Sequence, residues 1–136
     1  LMLQVLVIDG QGGGIGKSLI EQMRKADLPV FITATGTNAL ATSAMLKAGA
    51  DQGASGENAI LFNLQNTDLV VGPLGILLAN SILGEISPAI AAGVAGCQKP
   101  KILIPVAKCH AFIMGIQEKP MSQYLEEAIT TIKSYL

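Results

Sequence analysis

Aromatic side chains are scarce in this chain, which has no tryptophan, two tyrosines and three phenylalanines among 136 residues. Half of the residues are nonetheless hydrophobic, so a core has to be assembled from Ile, Leu, Val and Ala. That composition suits a parallel sheet covered by helices and disfavours an aromatic-rich sandwich. Metal-ligating side chains are equally sparse: His110 is the single histidine, and Cys97 and Cys109 are the two cysteines. Neither a disulfide framework nor a zinc spacing can be built from them, so reduced thiols in a cytoplasmic protein, with no metal, are expected. Basic runs are lacking too. The nine Lys and Arg residues are scattered, with Arg24-Lys25 the one adjacent pair, and the formal net charge is −1, so no nucleic-acid partner is expected.

Long uninterrupted apolar runs are also missing. Leu1 to Ile8 is halted by Asp9-Gly10, without the basic region or cleavage site of a signal peptide. Leu69 to Ala95 is broken by Pro73, Asn80, Glu85 and Pro88, whereas a membrane span wants about 20 consecutive apolar residues. No membrane association is expected. One domain over 1–136 accommodates this length, and such a chain buries roughly two-thirds of its unfolded surface, enough for one core.

Strand-like and helix-like patterns alternate along the chain. Val5-Leu6-Val7-Ile8 is a continuous β-branched and apolar run that reads as a strand buried on both faces. Ile15, Leu19 and Met23 then recur at helical spacing, up to about Asp27 ahead of Pro29. Val30 to Thr33 is the second strand, and Gly36-Thr37-Asn38 opens a helix with Ala41, Ala44, Met45 and Ala48 on one face and Gly49 as its stop. A short third strand is expected near Asp51 to Ala54, followed by a helix capped by Ser55 and carrying Ile60, Leu61 and Leu64. Reading Ala59 to Phe62 as a strand instead would leave too few residues for a parallel crossover to Leu69-Val70-Val71, the fourth strand.

Gly72-Pro73-Leu74-Gly75 is expected to turn that strand into a helix, and Ser87-Pro88 restarts a second helical piece. Glu57 reads as a first-turn acid and Glu85 as a helix-face charge. Ile102 to Val106 is the fifth strand, and Phe112 to Ile116 follows so closely that it is expected as an antiparallel edge partner. A last helix buries Leu125, Ala128, Ile129 and Ile132. The expected architecture is a Rossmann-like three-layer α/β/α domain, with a mostly parallel sheet of about five strands plus one antiparallel edge strand.

The most informative segment is Gly10-Gln11-Gly12-Gly13-Gly14-Ile15-Gly16-Lys17-Ser18, placed between the first strand and the first helix. Backbone N–H groups at a helix N-terminus favour an anion, and glycines let a phosphate approach without a Cβ in the way. Gly10-x-x-x-Gly14-x-Gly16 is similar to the turn of short-chain dehydrogenases. Gly16-Lys17-Ser18 fits the tail of a P-loop, but Gln11 stands where its first glycine belongs. Partners that would confirm a register are absent. The second strand runs into Thr35-Gly36-Thr37-Asn38 with no acid for a ribose, neither tyrosine starts a Tyr-x-x-x-Lys pair, and no acid follows the fourth strand to support magnesium.

Further small or polar turns, Gly36-Thr37-Asn38, Gly53-Ala54-Ser55-Gly56 and Gly72-Pro73-Leu74-Gly75, fall at strand carboxyl ends, where open α/β sheets bind ligands. The sequence thus nominates Gly10, Gln11, Gly12, Gly13, Gly14, Ile15, Gly16 and Lys17 for the phosphate of a nucleotide, of a dinucleotide such as NAD(P), or of another phosphorylated small molecule. Thr35, Thr37 and Asn38 are nominated as hydrogen-bond partners for a ribose. Two alternatives stay open. One is a small enzyme acting on a phosphorylated metabolite through Lys17, Lys108 or Cys109, with Lys108-Cys109-His110 set to activate the thiol. The other is a non-catalytic module with a purely structural glycine turn, which forms a homodimer through the apolar stretch Leu74 to Val94.

Val7 to Lys17, Gly36 to Thr42, Met45 to Ala50, Gly56 to Ile60 and Leu103 to Val106 together resemble a family known as a domain of unknown function. That resemblance covers nearly the whole chain. It implies a Rossmann-like fold and carries no established activity, so it transfers no catalytic residue.

Overall fold

Val5 and Val7 face one side of a sheet while Leu6 and Ile8 face the other, and all four are buried. A strand that is apolar at every position needs a covering layer on each face. The computed structural model, which describes residues 2–106 and 111–136, supplies both layers. Its elements are β1 (Leu3–Asp9), α1 (Gly14–Lys25), β2 (Val30–Gly36), α2 (Ala39–Lys47), β3 (Gln52–Ser55), α3 (Glu57–Asn63), β4 (Leu69–Pro73), α4 (Pro88–Gly96), β5 (Lys101–Ile104) and α5 (Met121–Lys133). The five strands are hydrogen-bonded in the order β3-β2-β1-β4-β5, all parallel.

Leu19, Ile20 and Met23 of α1 pack with Leu125, Ala128, Ile129 and Ile132 of α5 and Met45 of α2 against Val5, Val7, Ile32 and Val71. On the opposite face Ile60 of α3 and Ile90, Ala91 and Val94 of α4 close over Leu6, Ile8 and Val70. The helices are set by local signals. Asn38 caps α2 by accepting the Ala41 N–H at 2.9 Å, and Ser87 caps α4, with Pro88 at its first position, by accepting the Ile90 N–H at 3.2 Å. Arg24, near the end of α1, donates to the Gly49 and Val30 carbonyls and to Asp51 Oδ2, which ties that end to the starts of β2 and β3.

Four expectations need correction. No antiparallel strand is present among the described residues: Phe112 to Ile116 stays outside the sheet, and Gly115 at φ +86° breaks any extended run there. β5 ends at Ile104, because Pro105 has no N–H to give to a ladder. Ser55 closes β3 instead of capping α3; Gly56, at φ +102°, stands in the cap position, and the Ser55 hydroxyl meets that of Thr42 at 2.7 Å. After β4 the chain forms a single 3-10 turn (Leu74–Leu77) and then a run of left-handed residues, so Glu85 lies on no helix. Lys108, Cys109 and His110 lie outside the described residues.

Candidate functional site

The strand order places β1 in the centre, with β2 and β3 on one side and β4 and β5 on the other. The order in which strands are added to the sheet reverses on either side of the β1–β4 pair, and open α/β sheets bind ligands at the carboxyl ends of strands at such a switch point. A cleft of about 510 Å³ opens there. Its walls are Asp9 to Gly12, Gly14 and Ile15 on one side, and Pro73, Gly75, Ser81, Ile82, Leu83 and Val106 on the other.

The turn between β1 and α1 is folded from within. Gln11 and Gly13 take left-handed conformations, at φ 47° and 72°. The Gly13 N–H donates to the Gly10 carbonyl at 2.9 Å, and the Lys17 N–H to the Gly13 carbonyl at 2.8 Å. Asp9, only 5% exposed, accepts the Gly10 N–H at 2.7 Å and the Gly16 N–H at 2.8 Å. Burial raises the pKa of this carboxyl above its ordinary value, and the N–H groups of Gly16, Gly10 and Ile15 act in the opposite direction.

The five glycines divide into two kinds. Gly10, Gly13 and Gly16 are buried. A Cβ at Gly10 would meet Thr37 and Glu85, one at Gly13 would lie 2.8 Å from the Ala41 carbonyl oxygen, and one at Gly16 would meet Met45. Their lack of a side chain is explained by packing. Gly12 and Gly14 are exposed, and among the described residues a Cβ there meets nothing within 4 Å. Their N–H groups have no acceptor among the described residues.

The remaining nominated residues are placed differently. Lys17 is exposed on α1, with its ammonium 3.8 Å from Glu21. Thr35 is fully buried and donates to the Val7 carbonyl at 3.3 Å. Thr37 and Asn38 are not among the walls of the cleft. They meet at one side chain that the sequence pattern did not connect with them, Glu85, which is not a wall residue either but is bonded to Gln11, which is. Glu85 Oε1 accepts from the Thr37 hydroxyl, from Asn38 Nδ2 at 2.9 Å and from the Gln11 N–H at 2.9 Å. Those donors, the Thr37 hydroxyl foremost, hold its carboxyl below the ordinary range.

Glu85 arrives on a strained strap. Asn80, Ile82, Leu83 and Gly84 all have positive φ, at 66°, 54°, 53° and 86°. Left-handed backbone suits Asn and Gly but costs a branched residue such as Ile. The strap is held by the Asn80 N–H on the Ile86 carbonyl at 2.7 Å and by the Ser81 hydroxyl on the Gly75 carbonyl. Asn80 and Gly84, the two residue types that tolerate this backbone, were the available signal for a turn in place of a helix.

No helix among the described residues is long and apolar enough to cross a membrane. Residues 4–136 match a family model described as a domain of unknown function (DUF3842), and the chain belongs to that family. No curated protein matches the chain.

Proposed function

We propose, taking membership of that family as the premise, that this protein binds a phosphorylated small molecule, of the nucleotide or dinucleotide class, in the cleft between β1 and β4. A phosphate sits against the N–H groups of Gly12 and Gly14, at the positive end of the α1 dipole. The observation that carries this reading is the division of the glycines. Gly12 and Gly14 lack side chains where the fold would accept them, and approach of a ligand to the bare backbone accounts for that. The buried N–H groups of Gly10 and Gly16 are taken up by Asp9, which leaves the exposed donors for the ligand.

The test uses calorimetric titration of NAD, NADP, ATP and ADP-ribose, with and without magnesium, against the wild type, Gly12→Ala and Gly14→Ala. At least one nucleotide binds the wild type, and each alanine, whose Cβ holds the phosphate off the backbone N–H, weakens it by about tenfold, the worth of one hydrogen bond to a charged group. The same variants keep their melting temperature or raise it, because an alanine that fits its backbone reduces the entropy of the unfolded chain. Undiminished binding by both variants overturns the assignment. A requirement for magnesium would favour the P-loop register over the dehydrogenase-like one.

A further inference from the structure

We infer that Glu85 is the ribose-recognising acid of this site and makes it selective for nucleotides with a free 2′-hydroxyl over those with a 2′-phosphate. This rests on the reading of the cleft as a nucleotide site. In folds of this architecture the pyrophosphate lies on the first glycine turn, and the ribose lies beside it toward the end of the second strand, where a carboxylate accepts its hydroxyls. Here β2 ends in Gly36-Thr37-Asn38 and supplies no acid.

The strap after β4 brings a carboxylate to that place from another part of the chain. Glu85 Oε1 is bonded to Gln11, a wall of the cleft, and to Thr37 and Asn38 directly after β2, so it links the glycine turn to the end of the second strand, beside which the inferred ribose is placed. It also sits 3.0 Å from where a Cβ on Gly10 would stand. All three of these bonds go to Oε1, and among the described residues Oε2 accepts none. A carboxylate oxygen retains lone pairs for a vicinal diol. The fixed donors keep the group anionic at neutral pH, so a 2′-phosphate would be placed against a like charge. The left-handed backbone of Ile82 and Leu83 is the local distortion that swings Glu85 across the top of β1.

Binding of NAD, NADP, ADP and 2′-deoxy-ADP to the wild type, Glu85→Gln, Glu85→Asp and Gly14→Ala tests the assignment. The wild type prefers NAD to NADP, and ADP to its 2′-deoxy form, each by about tenfold. Glu85→Gln and Glu85→Asp bring both ratios close to one; each stays folded, with a melting temperature below that of the wild type because bonds to the Gln11, Thr37 and Asn38 donors are weakened. Equal affinity of the wild type for NAD and NADP, or unchanged ratios in folded Glu85 variants, overturns the role of Glu85. The phosphate reading survives that result provided Gly14→Ala still weakens ADP. Failure of all four nucleotides to bind the wild type overturns both readings together.

Discussion

Asp9 and Gly16 are joined across the glycine turn: Asp9 Oδ2 accepts the Gly16 N–H at 2.8 Å, while Oδ1 takes the N–H of Gly10 at 2.7 Å. The last residue of β1 thereby clamps the first turn of α1 from below, as a capping side chain would from within the helix. Asp9→Asn keeps the shape but has one acceptor oxygen, so one buried N–H faces an NH₂ group. The expected cost is about 1–3 kcal/mol of stability, read from urea denaturation. A change below about 0.5 kcal/mol would show that the clamp is not needed to hold the turn.

Acid titration separates the two carboxyls of the site. Glu85 titrates below its ordinary 4.5 in the folded protein, so its stabilising contribution is complete above 4.5 and is lost as pH falls through the lower folded value. Asp9 titrates above its ordinary 3.8, so ionising it opposes folding. That penalty is absent below 3.8 and grows as pH rises through the raised folded value. Urea midpoints between about pH 3 and 7 check both signs. The advantage of wild type over Glu85→Gln shrinks on acidification, whereas its margin over Asp9→Asn grows.

The legible parts of this molecule are those where burial and backbone chemistry agree locally. Val5 to Ile8 and Leu69 to Val71 are apolar at every position because both faces are covered, and both are central strands. Asn38 and Ser87 stand where helices begin. β3 is weakly patterned because all four of its residues are exposed at the sheet edge. The stretch from Leu74 to Ile86 misleads: its apolar residues suit a helix, yet Ile76 and Ile86 are buried from turns on either side of the strap. The contact of Glu85 with the glycine turn could not be recognised, since its partners Thr37 and Gln11 lie 48 and 74 residues away. Nor does a string of five glycines disclose which of them serve packing.

Gly72 offers a control for the glycines of the turn. It lies buried in β4, and a Cβ there would collide with the Ile8 carbonyl oxygen of the neighbouring strand. Backbone cannot move aside as a side-chain tip can, so Gly72→Ala destabilises by about 2–3 kcal/mol. Gly12→Ala, facing open space, stays within about 0.5 kcal/mol of the wild type or exceeds it. Chemical denaturation of the pair checks the ordering. Equal destabilisation would mean that Gly12 is required by the fold.

Leu83 offers the sharpest separation of stability from ligand affinity. Its backbone is left-handed at φ 53°, and its side chain is 92% exposed while lining the mouth of the cleft. Such a side chain contributes little to the core, so Leu83→Gly mainly removes the steric penalty of about 1–2 kcal/mol for a left-handed residue. Glycine's greater unfolded-state freedom returns about 0.5–1 kcal/mol of that. The net expectation is a gain of about 0.5–1 kcal/mol in unfolding free energy, measured by urea denaturation at neutral pH. In titrations the same variant binds nucleotide more weakly, because an apolar wall of the cleft is lost and the strap that carries Glu85 is freer to move. Strain retained at a binding site produces this opposition. A Leu83→Gly protein that is both more stable and fully competent in binding would show that the left-handed strap has no part in holding the ligand.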